Sequence, residues 1–272
     1  VKAKLVGTVL ALLLLGAIPL ACAYSKASST SNSGAASPHS ANAAQQKGTT
    51  GTAQPVEDEV RVLVTIAVLG DLVGQVGRDR VLVKSIVPAA SDPHTFQPTP
   101  QDVREISEAR IIFANGAGLE GWLEHLIRTA GKPDSRLVIL SEGLPAQGEE
   151  QEGDDHAHLE GNPHFWLDVR FTMQYVQRIQ QELASVDPAG AAIYERNASQ
   201  YLTELIELDG WIEKQVGTIP EENRKLVTFH DAFPYYAKRY GLETVGVIVR
   251  SPGHEPSAKE VAELADSIRR EG

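Results

Sequence analysis

Runs of β-branched residues alternate with segments of helical spacing, and this alternation limits the fold more than any other feature of the chain. Strands joined through helices return in parallel, because a parallel pair needs a long crossover and a helix supplies it. Residues 60–70 (V-R-V-L-V-T-I-A-V-L-G) predict a first buried strand, residues 72–77 a short helix or turn, and residues 81–87 a second strand. Thr99-Pro100-Gln101-Asp102 then opens a helix, with a capping residue, proline at the first position and a carboxylate at the third. Residues 110–114 and 136–140 predict a third and a fourth strand around a helix that runs to about residue 130. The expected class is α/β, with a mostly parallel sheet covered on both faces.

Residues 169–186 and, after Asp187-Pro188, 189–216 read as two helices. In the second, Ile193, Tyr201, Leu205, Leu208 and Ile212 fall near helical spacing. A helix of that length runs roughly 40 Å and suits a stiff spine between two lobes. A second strand–helix–strand pattern follows: a strand over 225–229 ending at His230-Asp231, a helix over 232–240 closed by Gly241, a strand over 244–249 and a last helix over 258–270. This pattern is shorter than a full sheet requires, so the second lobe is expected to be truncated. The expected plan is a signal segment at 1–22, a tether at 23–59, a first α/β lobe at 60–186, a connecting helix at 187–217 and a second α/β lobe at 218–272.

Lys2 and Lys4 precede an apolar run over residues 5–18, long enough for a signal-peptide core and short for a spanning helix. The run leads to Cys22, the single cysteine, which excludes a disulfide framework and a cysteine-based zinc site. A lone cysteine after such a core reads as the lipidated first residue of a bacterial lipoprotein. Pro19 and Leu20 depart from the usual lipobox, and an ordinary secretory signal or an uncleaved anchor are the other readings. Each places the chain outside the cytoplasm. The following Ser, Ala, Thr, Asn, Gly and Gln have little to bury and form a tether. With 36 Asp and Glu against 25 Lys and Arg, the chain lacks the basic excess that nucleic acid demands, and a cation is the better partner.

Three histidines mark the chemistry. His94 lies in S-D-P-H-T-F-Q-P-T-P, between a strand and a helix start, and His164 lies in N-P-H-F-W-L-D-V. In both, an Asx-Pro pair stiffens the backbone before the imidazole, which lowers the entropy lost on binding. His230 ends a strand in L-V-T-F-H-D, and strand carboxyl ends are where open α/β sheets bind ligands. The three together predict a metal site. The acidic stretch 147–161 carries His156 and His158 among carboxylates; it reads first as a solvated loop and second as an accessory cation collector. Gly116, Gly118 and Gly121 spell G-x-G-x-x-G between a strand and a helix, but on the third strand. The plainer reading is that these glycines let the helix approach the sheet, with Glu120 and Trp122 shaping a pocket wall.

D-P-H-T-F-Q-P-T-P, N-G-A-G-L-E-G-W, N-P-H-F-W-L-D-V, V-T-F-H-D-A-F-P-Y-Y-A-K-R-Y-G-L and S-P-G-H-E-P-S-A, in this order, resemble the metal-binding lipoproteins of bacterial zinc and manganese ABC importers, closest to the zinc-uptake branch. The resemblance runs from about residue 60 to the end. It implies two α/β lobes joined by a rigid helix, with one divalent cation in the crevice between them. It also implies a membrane permease and a separate ATPase as partners, a lipid anchor, a monomer and no catalysis. Carried over by position, the ligands are His94, His164 and His230, with an acidic fourth ligand expected beyond Gly272 and Asp231 a poorer substitute. Three imidazoles and a carboxylate suit tetrahedral Zn²⁺. Manganese binders of this family generally carry a carboxylate where His230 stands, and harder oxygen ligands favour Mn²⁺. The other readings are a manganese or iron binder of the same family, a zinc-dependent hydrolase, and a nucleotide-binding enzyme built on Gly116, Gly118 and Gly121. The hydrolase lacks any H-E-x-x-H or G-x-S-x-G cluster.

Overall fold

A computed structural model describes residues 59–123, 126–127, 135–147, 161–249, 253 and 255–271. Strand β1 (Val60–Val64) pairs in parallel with β2 (Val81–Ser85) on one side and β3 (Ile111–Ala114) on the other; β3 in turn pairs in parallel with β4 (Arg136–Ile139). The order is β2-β1-β3-β4, so the winding direction reverses between β1 and β3. Loops leaving the carboxyl ends of those strands diverge at such a reversal, and that opens a crevice. The described helices are α1 (Ala67–Gly77), α2 (Pro100–Glu108), α3 (Val169–Val186), α4 (Ala191–Gly217), α5 (Pro234–Tyr240) and α6 (Ala258–Glu271).

Side-chain alternation through the sheet feeds two cores. Val60, Val62 and Val64 with Ile111 and Phe113 pack against Leu69 and Val73 of α1, Tyr175 and Ile179 of α3, and Tyr194, Ala198 and Leu205 of α4. Leu63, Ile112 and Ala114 face the other way, onto Ile106 of α2 and Leu123. Each fully buried Val, Ile or Leu contributes about 1.5–3 kcal/mol relative to exposure, so both coverings are substantial. The parallel, doubly covered sheet is the one the alternation predicts.

The first strand is shorter than predicted. It ends at Val64, and residues 67–70 already belong to the 11-residue helix α1. From Ile66 to Leu69 the run is apolar at every position, so composition does not separate strand from helix there. The buried set Leu69, Leu72, Val73 and Val76 has helical spacing and decides for helix. The start of α2 is as predicted: the Asp102 carboxylate accepts from the Thr99 N–H at 2.7 Å and from the Thr99 hydroxyl at 2.8 Å, with Pro100 in the first turn.

A second sheet pairs β5 (Lys225–Thr228) in parallel with β6 (Glu243–Val247), with a register shift between Leu226 and Val227. Helix α5 connects them and stops at Gly241, whose φ of 72° is the left-handed conformation glycine adopts freely. It begins at Pro234, two residues later than predicted, because Ala232 hydrogen-bonds back to the His230 carbonyl in a turn.

Long helix α4, 27 residues, is tied down at two places. Before its first turn, the Asp187 carboxylate accepts from Arg80 Nε at 2.8 Å and Tyr194 Oη at 2.6 Å, linking it to the segment before β2. Burial pushes the Asp187 carboxyl up, but the bonds from Tyr194 and Arg80 outweigh burial and hold it below the usual carboxylate range. Further along, Asp209 accepts from Arg239 Nη2 at 2.6 Å and from Tyr240 Oη at 2.7 Å, tying the same helix to α5. Tyr235 of α5 is 1% exposed and enters the main core, stacked on Phe165 at a centroid separation of 4.5 Å.

Candidate metal centre

His94, His164 and His230 come together. Each sits in a segment that follows the carboxyl end of a parallel strand: β2, β4 and β5 respectively. His94 is held from both sides: Asp92 Oδ1 accepts from its N–H at 2.9 Å, and Phe96 packs on Trp122 at 5.2 Å between centroids. His164 has the same local design, with Asn162 Oδ1 accepting from its N–H at 3.1 Å, and is followed by a short 3₁₀ turn that buries Phe165. It is 5% exposed, whereas His94 and His230 are half-buried.

The three rings meet through Nε2. His164 Nε2 lies 3.3 Å from His94 Nε2 and 3.1 Å from His230 Nε2, and the ligand atoms of all three fall within 4.8 Å of one another. Two nitrogens bound to one tetrahedral zinc at about 2.0–2.1 Å stand roughly 3.3 Å apart, so the spacing is that of a shared ion. Among the described residues no carboxylate or thiol joins the group, and Asp231 stays outside it.

The environment favours the neutral form of His164 and His94, which is the ligand form. Burial, reinforced by His230 and His94, pushes His164 down to about 3. Burial also lowers His94, with His230 adding to it and Asp92 opposing. Both rings are held below the ordinary histidine range, so as pH falls the unfolded chain takes up protons that the folded chain refuses. The metal-free protein is therefore expected to lose stability as pH drops from 6.5 towards about 3, by on the order of a few kcal/mol from His164. Protons compete with a metal for His164 and His94 only on the acid side of the ordinary histidine range. Urea unfolding of metal-free protein at a series of pH values measures the first effect, and a midpoint independent of pH below neutrality would contradict it.

A buried polar network supports the His164 loop, and sequence reasoning did not find it. Glu120, 7% exposed, accepts from Thr65 Oγ1 at 2.6 Å, from Asn115 N–H at 2.8 Å and from Gly116 N–H at 2.8 Å. Burial raises its pKa, against these bonds. Asn115 in turn donates to the Pro163 carbonyl at 2.9 Å and accepts from Tyr175 Oη at 2.8 Å. Glu120 is thus a buried brace for the loop and not a pocket wall, while Trp122 packs on the His94 loop. The glycines divide: Gly116 has φ 86° and its Cβ would lie 2.4 Å from Ile139 Cγ2, Gly118 has φ 78°, and a Cβ on Gly121 would meet nothing. With the 115 and 116 amides given to Glu120, the turn does not offer them to a phosphate. His156, His158 and Cys22 lie outside the described residues, as does the tether up to residue 58.

Two parallel α/β units and three converging imidazoles make a candidate metal centre. The sequence matches the family described as "ZnuA: Zinc-uptake complex component A periplasmic" over residues 62–272. The chain belongs to this family of metal-binding substrate-binding proteins of ABC importers, which act outside the cytoplasm and are not enzymes. It is 36% identical over 221 residues to the manganese-binding lipoprotein MntA of Halalkalibacterium halodurans, a match covering 81% of this chain and 70% of that protein. Its fold is similar to a crystal structure of ZnuA, with a TM-score of 0.70 at 28% identity, covering 79% of each chain. It is also similar to a Mn-bound periplasmic metal-binding protein from Candidatus Liberibacter asiaticus, with a TM-score of 0.65 at 26% identity, over 78% of this chain and 76% of that one. No described helix is long and apolar enough to cross a membrane.

Proposed function

We propose that this chain captures Zn²⁺ outside the cell through His94, His164 and His230 and passes it to an ABC permease powered by a separate ATPase. The observation that carries this is the meeting of three Nε2 atoms around the most buried of the rings. His164 is neutral and fixed before an ion arrives, and His94 and His230 close on the ion from half-buried positions. A fourth donor completes a tetrahedral shell. In the arrangement we propose, residues 60–186 and 218–272 form two lobes, residues 187–217 join them, and Cys22 carries the lipid anchor of a monomer.

Zinc is preferred because the three converging donors are all imidazole nitrogens, and imidazole suits zinc better than manganese, which favours carboxylate, carbonyl and water. Manganese is the second reading, and the name of the 36% identical relative favours it. Competition titration decides between them. Zinc is expected to bind one ion per chain and to displace manganese completely at equal concentration. Retention of manganese under those conditions would overturn the zinc reading and leave the metal site standing.

A further inference from the structure

Asn162 uses every polar group it has, and it uses them on both sides of the site. Its N–H donates to the Gln147 carbonyl at 2.6 Å and its carbonyl accepts from Tyr235 Oη at 2.6 Å. Its side-chain Oδ1 accepts from the His164 N–H at 3.1 Å and lies 2.8 Å from His164 Nδ1. Its Nδ2 donates to the carbonyl of Asp231, the neighbour of His230, at 2.5 Å.

These partners fix the orientation of the amide without ambiguity. A backbone N–H only donates, so the atom facing His164 N is the oxygen; a backbone carbonyl only accepts, so the atom facing Asp231 is the nitrogen. With an acceptor opposite Nδ1, the His164 ring carries its proton there, and Nε2 is left with a free lone pair towards His94 and His230. The other Asx-Pro-His loop supplies an internal comparison. Asp92 makes the same bond to the His94 N–H, but a carboxylate has no donor to offer a second partner. The amide stands in the loop where one side chain must both accept and donate.

We propose that Asn162 is the positioning residue of the centre: one side chain sets the tautomer of His164 and holds the backbone beside His230, so that a first-lobe ligand and a second-lobe ligand are presented together. This rests on the metal site proposed above. Groups in this position next to a ligating histidine typically govern metal affinity by about 10- to 100-fold.

The test compares wild type, Asn162→Asp and Asn162→Ala, with zinc titration and with ¹⁵N NMR of the histidine rings in metal-free protein at neutral pH. In wild type, His164 is expected wholly as the Nδ1–H tautomer. Asn162→Asp keeps the acceptor and loses the donor, so the tautomer persists while zinc affinity falls about 10-fold. Asn162→Ala loses both, giving a mixture of tautomers and a drop of about 100-fold. A wild-type tautomer in Asn162→Ala, or zinc affinity unchanged in both variants, would overturn the assignment. So would affinity losses that merely track loss of thermal stability with the tautomer intact. Failure of the wild type to bind zinc would refute the underlying metal reading, and the tautomer would then judge Asn162 without it.

Discussion

His164→Ala is expected to reduce zinc affinity by roughly 3 kcal/mol, a hundredfold or more, since a structural zinc site draws about 10–16 kcal/mol from all its ligands. The effect is largest at this residue because His164 is the hub, with its Nε2 at 3.3 Å from that of His94 and 3.1 Å from that of His230. It is also the most buried ring of the three, so little desolvation or ordering is left to be done when an ion arrives. Calorimetric titration of metal-free variant and wild type, side by side, measures the difference. The substitution also removes a side chain whose charged form the fold disfavours, so the metal-free variant should remain folded by circular dichroism. An unchanged isotherm in a folded variant would remove His164 from the site.

Gly190→Ala is the substitution expected to cost most in stability. A Cβ at this position would lie 2.3 Å from Asp187 Oδ2, 2.6 Å from Arg80 Nε and 2.7 Å from Tyr194 Cε2. None of the three neighbours is free to retreat. Asp187 holds Arg80 through two side-chain bonds, Tyr194 is fully buried in the main core, and the Gly190 N–H itself donates to Asp187 at 3.2 Å. Pushing them apart breaks a partly buried ion pair and leaves Asp187 short of partners, a class of change that costs about 3 kcal/mol or more. For a folded body of this size that lowers the melting temperature by about 6–12 °C. Gly121→Ala is the natural control, because no atom lies within 4 Å of the added carbon. Thermal unfolding of both variants distinguishes them, and equal melting temperatures would show that the Asp187 cluster has more room than its distances imply.

The elements and the three converging histidines were legible in the sequence for local reasons. Helix α2 announced itself through Thr99, Pro100 and Asp102, all within one turn. His94 and His164 stood out because Asp92-Pro93 and Asn162-Pro163 fix the chain immediately before them, and the same Asx-to-backbone bond is present in both. Partners distant in sequence were not legible. Glu120 braces Thr65 across 55 residues, Asn115 reaches Pro163 across 48, and Tyr235 reaches Asn162 across 73. No local pattern links such pairs, and the glycines around Glu120 drew attention to a phosphate-binding reading instead. The first strand was overextended for a related reason. The apolar stretch from Ile66 to Leu69 satisfies both periods, and only packing against α3 and α4 selects the helix from Ala67 onward.

Zinc K-edge X-ray absorption on wild-type protein loaded with one equivalent of zinc tests the central claim most directly. Three imidazole nitrogens at about 2.0–2.1 Å, with the outer-shell scattering of histidine rings, are the predicted result. A first shell of oxygen alone, or zinc that washes away without stoichiometric binding, would contradict it.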